Sequence, residues 1–240
     1  MKNIMNYNVK GDSDCPLVEI KLQNGEKVMI ERGSMAYMSQ VSIEGKMNSK
    51  SKGLGGLLGA IGRSLTSGES MFITEATGTG DDALLGVAPS VPGKIVCLHV
   101  DQTKQFYLNN GAFVACDKEV SYEMKSQSVG KALFGGTGGL FVMHTSGTGD
   151  VLVNAFGDIL EVKVDEEHPI IIDNEHVVAW DDSLNYELKI ASGTFGFTTG
   201  EGIVNEFHGN GTVYIQSRNI HNLANALIPF MPTSSSNLNS

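Results

Sequence analysis

VDQTKQFYLNNGAFVACDKEVSYE, residues 100–123, lies over VDEEHPIIIDNEHVVAWDDSLNYE, residues 164–187, without a gap and at a constant offset of 64. Val100, Asp101, Asn110, Val114, Ala115, Asp117, Tyr122 and Glu123 meet identical residues at Val164, Asp165, Asn174, Val178, Ala179, Asp181, Tyr186 and Glu187. A fixed offset with this many identities marks an internal repeat, and a repeat makes the fold an array of similar units. KVMIERGSMAYMSQVSIE (27–44) is a weaker third copy, with Gly33 over Gly111 and Tyr37 over Ala115.

The second half of each unit repeats as well. MFITEATGTG (71–80), LFVMHTSGTG (140–149) and IVNEFHGNG (203–211) each set a short apolar run before a Gly-x-Gly turn, and ALLGVAP, VLVNAF and VYIQSRN follow. Glycine supplies the positive φ that tight turns need, so strand, turn, strand reads as a hairpin. Short alternating runs spaced by turns predict an all-β sandwich or barrel in a single domain. Its three units span about 15–98, 99–162 and 163–220, within a domain over 1–220.

A Gly-rich connection separates the halves of every unit: GLGGLLGAIGRSLTSGES (53–70), KSQSVGKALFGGTGG (125–139) and ASGTFGFTTGEG (191–202). The first resembles a phosphate-binding loop but lacks its spacing, since Leu57 stands where the pattern needs glycine and Arg63 where it needs lysine. A dinucleotide fingerprint fails at Leu58. One short helix is expected at 54–65. The repeat symmetry would gather Leu57, Leu58 and Ile61 with Leu133, Phe134, Phe195 and Phe197 at one end of the molecule. These residues, with Arg63, form the candidate interaction surface. Lys50, Lys52, Lys125 and Lys131 flank the same loops, and cations beside apolar groups suit an anionic membrane surface. The alternative is that the same side chains cap the core or an oligomer interface.

The 240 residues are 41% hydrophobic, enough for a core of ordinary size, and 17 basic against 27 acidic residues leave a formal charge of −10. A polyanion is repelled by that balance, so nucleic acid is an unfavourable partner. No run reaches the roughly 18 apolar residues of a membrane-spanning helix. The first residues, MKNIMNYNVKGDSD, carry no apolar signal core, and Cys15, Cys97 and Cys116 form no Cys-x-x-Cys pair. The expected location is the cytoplasm, with peripheral membrane contact as an option.

GSMAYM, GESMF, ALLGVAPSVPGKI, GAFVACD, GTGDVLVNAFGDI, DNEHVVAWDDSLNYE and GEGIVNEFHGNGTVYIQSRN occur in an order that resembles the altered-inheritance-of-mitochondria 24 family over roughly 15–220, with GESMF and VYIQSRN the most specific blocks. The resemblance implies a β-structure related to the tryptophan RNA-binding attenuation protein. It also implies ring-forming relatives, hence a homo-oligomer with a trimer favoured. Mitochondrial relatives are associated with the inner membrane and cristae organisation. The family has no established catalytic residues to carry over.

No constellation of residues advertises chemistry. The six histidines form no His-x-His or His-Glu-x-x-His, although His144 and His208 follow equivalent strands and would approach each other about a pseudo-axis. Ser34 and Ser70 lie beside turns with no evident base. Asp117/Glu119 and Asp181/Asp182 read as solvated strand ends, GTGDD (78–82) and GTGD (147–150) offer too few ligands for Ca²⁺, and Cys116 reads as a core thiol because it lies over Trp180. No catalytic, cofactor or metal residue is assigned. The C-terminal segment 221–240 begins with HNLANALIPFMP, expected to dock on the body, and ends in TSSSNLNS, expected to be disordered. The favoured function is a non-enzymatic structural or interaction protein; the alternative is a small-ligand or RNA-binding module by analogy of fold.

Overall fold

The computed structural model of the chain describes residues 4–47, 72–127, 140–191 and 202–231. After a leading strand β1 (Asn6–Lys10), the strands fall into three sets of six. Unit one holds β2 (Leu17–Leu22), β3 (Lys27–Glu31), β4 (Met35–Ser39), β5 (Val41–Met47), β6 (Phe72–Gly78) and β7 (Ala83–Val87). Unit two holds β8 (Ile95–Val100), β9 (Phe106–Leu108), β10 (Phe113–Asp117), β11 (Val120–Gln127), β12 (Leu140–Gly147) and β13 (Gly149–Asn154). Unit three holds β14 (Ile159–Val164), β15 (Ile170–Asp173), β16 (Val177–Asp181), β17 (Asn185–Ile190), β18 (Ile203–His208) and β19 (Gly211–Gln216), and a helix α1 (Ile220–Leu227) follows. Strands make up 60% of the described residues, so the chain is an all-β, single-domain protein.

Pairing within a unit is nested. In each, the first strand pairs with the sixth and the second with the fifth, and then the third joins the sixth and the fourth the fifth. Every unit is thus two three-stranded antiparallel sheets. One rule joins the units: the second strand of a unit pairs with the third strand of the next, β3 with β10 and β9 with β16. The sheets therefore run β1-β2-β7-β4, β5-β6-β3-β10-β13-β8, β11-β12-β9-β16-β19-β14 and β15-β18-β17.

Alternation explains the faces. In β2, LVEIKL, the apolar Val18, Ile20 and Leu22 are buried while Lys21 points to water. Each unit closes over its own core, and each core borrows from a neighbour. Unit one buries Ile20, Leu22, Ile30 and Leu85 with Val114, Ala115 and Leu152 of unit two. Unit two buries Phe106, Leu108 and Phe113 with Val178 and Ala179 of unit three. Trp180 and Phe207 centre the third core, which takes Val142 from unit two. Burial of borrowed residues makes the units interdependent rather than separate beads.

The Gly-x-Gly turns are not hairpins. β6 and β7, β12 and β13, and β18 and β19 lie in different sheets of their units and do not pair. The chain instead crosses from one sheet to the other at a tight corner. Gly147 has φ +101°, and a Cβ there would stand 2.3 Å from the Glu119 carbonyl oxygen; at Gly149 a Cβ would meet the Asp117 side chain at 2.7 Å. Glycine is needed at the corner for close approach as well as for its φ.

Asp117 and Asp181 also depart from expectation, being buried rather than solvated. The Asp117 carboxylate accepts the Met5 N–H at 2.8 Å and the Asp150 N–H at 2.7 Å, and Asp181 accepts the Thr212 N–H at 3.0 Å. Each ties the end of a third strand to the start of the sixth. Burial pushes the Asp117 carboxyl above the usual range, and the two backbone N–H groups pull it back. The C-terminal segment forms α1, which is held to the body only near its start, and none of residues 221–231 is buried. The helix expected at 54–65 and the TSSSNLNS tail lie outside the described residues.

Replacing Gly147 by Ala is expected to cost roughly 3 kcal/mol, and Gly111→Ala, at φ +82° with nothing within 4 Å, roughly 1 kcal/mol. Urea unfolding of the two variants checks this; equal losses would contradict the corner's steric origin.

Candidate functional site

β4, β10 and β16 carry the same irregularity, a bulge between Met35 and Tyr37, Phe113 and Ala115, and Val177 and Ala179. The bulge aligns the three strands residue by residue: Tyr37 with Ala115 and Ala179, Met38 with Cys116 and Trp180. Their surroundings differ sharply. All residues of β10 and of β16 are buried, whereas Ala36, Tyr37, Met38 and Ser39 of β4 are exposed. The cause is the joining rule. β3 sets Ile30 opposite Ala115 and Met29 opposite Cys116, and β9 sets Leu108 opposite Ala179 and Tyr107 opposite Trp180. Among the described residues no strand pairs with the other side of β4, so β4 is an edge of its sheet.

The array is open at its other end too. β15 is the counterpart of β3 and β9, pairs on one side with β18 and has no partner on its other edge among the described residues, with Ile171 62% exposed. Tyr37 is fixed in place on β4. Its ring fills the space above Gly86, where an added Cβ would come within 2.3 Å, and its hydroxyl donates to Glu19 at 2.8 Å. That hydrogen bond, with Lys10 nearby, holds the Glu19 carboxyl below its ordinary range. Opposite Ala115 and Ala179 stand Leu152 and Tyr214, so the volume added by Tyr37 is offset by Gly86. Unpaired backbone and exposed apolar side chains at both ends make these edges the candidate functional site.

The two internal junctions show what such a contact looks like. Between units two and three, Tyr107 stacks on Trp180 at 5.4 Å and on His144 at 4.5 Å, with Tyr186 and Phe207 packed edge-on against Trp180. Between units one and two the counterparts are only Met29 and Cys116, and a groove of about 690 Å³ opens among Met29, Tyr122, Lys46, Glu75, Glu123 and His144. Lys27 and Lys46 approach Glu75 at 2.7 and 3.7 Å, and the Lys27 hydrogen bond draws its carboxyl below the ordinary range.

Leu57, Leu58, Ile61, Arg63, Leu133, Phe134, Phe195 and Phe197 lie outside the described residues, as do Lys50, Lys52 and Lys131. Lys125 is described and is already engaged, 3.2 Å from the Tyr107 hydroxyl and 3.2 Å from Glu123. His144 bonds to Asp182 and neighbours Glu123, while His208 lies 3.1 Å from Glu206, so each histidine is occupied by local carboxylates. No group of three or more His, Cys, Asp or Glu is placed to hold a metal among the described residues. Sequence reasoning missed the two edges, although Tyr37 and Met38 over Ala115 and Cys116 were a signal that unit one's third strand lives in a different environment.

Cys116 is buried and its thiol is pushed up by desolvation; Cys97, beside Tyr7 and Asp150, is pushed up to about 11, chiefly by burial. Only Cys15 is exposed. Iodoacetamide at neutral pH is expected to modify Cys15 in the native protein and the other two only after unfolding, read by mass spectrometry. Equal rates at Cys97 would show a reactive thiol.

Comparisons with known proteins fit this geometry. The chain is 47% identical over 235 residues to the uncharacterised protein M6_Spy0233 of Streptococcus pyogenes serotype M6, covering 97% of this chain and 94% of that protein. The crystal structure of SPYM3_0169 from Streptococcus pyogenes superposes with a TM-score of 0.77 at 43% identity, over 95% of this chain and 100% of that one. Residues 7–218 match the family described as Mitochondrial biogenesis AIM24, and with the three-unit β-array running through that span the chain belongs to this family.

Proposed function

We propose that the protein is a non-enzymatic structural element that assembles with further copies of itself. Three copies are the favoured number, and the Gly-rich loops of the assembly meet a partner protein or a membrane surface. One observation carries the reading: β4 is exposed along a length where its counterparts β10 and β16 are wholly buried by a neighbouring unit. A second copy supplies the missing neighbour by placing β15 against β4. Carrying over the internal register sets Ile172 opposite Tyr37 and Ile171 opposite Met38. Such a contact is heterologous, one end to the other, and closes into a ring when the rotation per copy permits.

No described helix is long and apolar enough to cross a membrane. Contact with a lipid surface would therefore fall to loops, and Leu57, Leu58, Ile61, Leu133 and Phe134 with their flanking cations are the residues suited to it. A charge of −10 disfavours RNA as the partner.

Light scattering is expected to give a multiple of the 25.6 kDa chain mass, and Ile171→Lys or Met38→Lys is expected to give the single-chain mass, because lysine blunts an edge strand. Both positions are exposed, so unfolding free energy should shift by no more than about 0.5 kcal/mol. A wild-type protein of single-chain mass at micromolar concentration contradicts the assembly. The loop contact is tested by Leu57→Asp with Leu58→Asp. The variant should remain folded and lose association with anionic vesicles, whereas wild-type binding would remove these loops from the account.

A further inference from the structure

α1 has an apolar face that is exposed among the described residues. Ile220, Leu223 and Leu227 share one side of the helix, Phe230 follows in the next turn, and all four are exposed, Phe230 by 85%. The helix starts well: Asn219 is buried and its side-chain oxygen accepts the Asn222 N–H at 2.7 Å. A helix of two turns is marginal alone, so something must hold it. The hold is at its N-terminus, where His221 pairs with Glu175 and Asn219 meets His176 at 3.3 Å. Glu175 and His176 belong to the short 3-10 turn Asn174–His176, directly after β15. The free apolar face is therefore anchored beside the open edge strand.

A second row of contacts ends at the same place. The segment leaving unit one lies on the segment leaving unit two, with Lys94 N–H donating to the Gly157 carbonyl at 2.9 Å and Gly157 N–H to Pro92 at 3.0 Å. Unit two's exit lies in turn on unit three's, with Ser217 N–H donating to Asp158 at 2.9 Å and Arg218 N–H to Phe156 at 3.2 Å. The row stops at Arg218, and α1 begins two residues later. The next member of the row would be the exit of unit one, residues 88–94, in another copy.

We infer that α1 and the turn after it are a clasp that closes on unit one of the adjoining copy, alongside the pairing of β15 with β4; the inference rests on the assembly reading. Residues 220–231 contain no Lys or Arg, and the chain carries a charge of −10, so a second copy fits this face better than an anionic bilayer does.

The test is the full-length triple variant Leu223→Ser, Leu227→Ser, Phe230→Ser, run in sedimentation equilibrium beside the wild type and Ile171→Lys. None of the three side chains is buried, and unchanged urea unfolding verifies the fold. The expected result is an assembly whose dissociation constant rises by at least about tenfold. Wild-type assembly by the triple variant, with Ile171→Lys monomeric, overturns the clasp and leaves the edge pairing standing. A monomeric wild type overturns both. Loss of sedimentation with phosphatidylcholine/phosphatidylglycerol vesicles, with assembly unchanged, identifies lipid as the occupant and likewise overturns the clasp.

Discussion

The pairing of one unit's second strand with the next unit's third is the contact on which the rest of the molecule depends. It is made by β3 with β10 and by β9 with β16, and it turns three small sandwiches into a continuous body. Backbone N–H and C=O groups at a sheet edge demand partners, and burial without them costs about 1–3 kcal/mol per group. β3, β9, β10 and β16 meet that demand on one side with a strand of their own unit and on the other with a strand of the neighbouring unit. Cores follow the same logic: Val114 and Ala115 complete unit one, and Val178 and Ala179 complete unit two.

Variation between the junctions shows how the repeat tolerates different fillings. The Tyr107–Trp180 stack at the second junction buries a large aromatic surface, supported by Tyr186 and Phe207. The first junction keeps the same strand register with Met29 and Cys116 and leaves a charged groove instead. Backbone pairing is thus the common element, and side-chain packing is adjusted around it. Tyr37 above Gly86 is a third solution at the array's open end, where the large residue sits on the edge strand.

Much of the architecture was legible in the sequence because a repeat is a long-range signal written in one dimension. The offset of 64 located units two and three, and Gly33 over Gly111 located unit one. The pairing was not legible. Strand, glycine, strand looks locally like a hairpin whether the chain folds back or crosses to a facing sheet. What decides between them at Gly147 and Gly149 is the approach of Glu119 and Asp117 from an earlier strand. Asp117 and Asp181 were misread for a related reason: an acid after an apolar run is ordinarily solvated, and here the backbone N–H groups of Met5, Asp150 and Thr212, with the Lys104 ammonium 3.3 Å from Asp181, offset the burial. The candidate loop residues from Leu57 to Phe197 lie outside the described residues, so the surface argued from structure rests on other residues, chiefly Tyr37, Met38 and Ile171.

The central claim is that the open edges continue between copies in the register seen inside the chain. Met38→Cys with Ile171→Cys places two thiols at the positions matching Cys116 opposite Met29 and Trp180 opposite Tyr107. Directly opposed residues on antiparallel strands come close enough for a disulfide. Mild oxidation of the double variant, in a background with Cys15 replaced by Ser, is expected to give covalently linked copies on a denaturing gel. Either single cysteine variant should give none. A double variant that stays at the single-chain mass under oxidation, in solutions where the wild type is assembled, would contradict the register and with it the account.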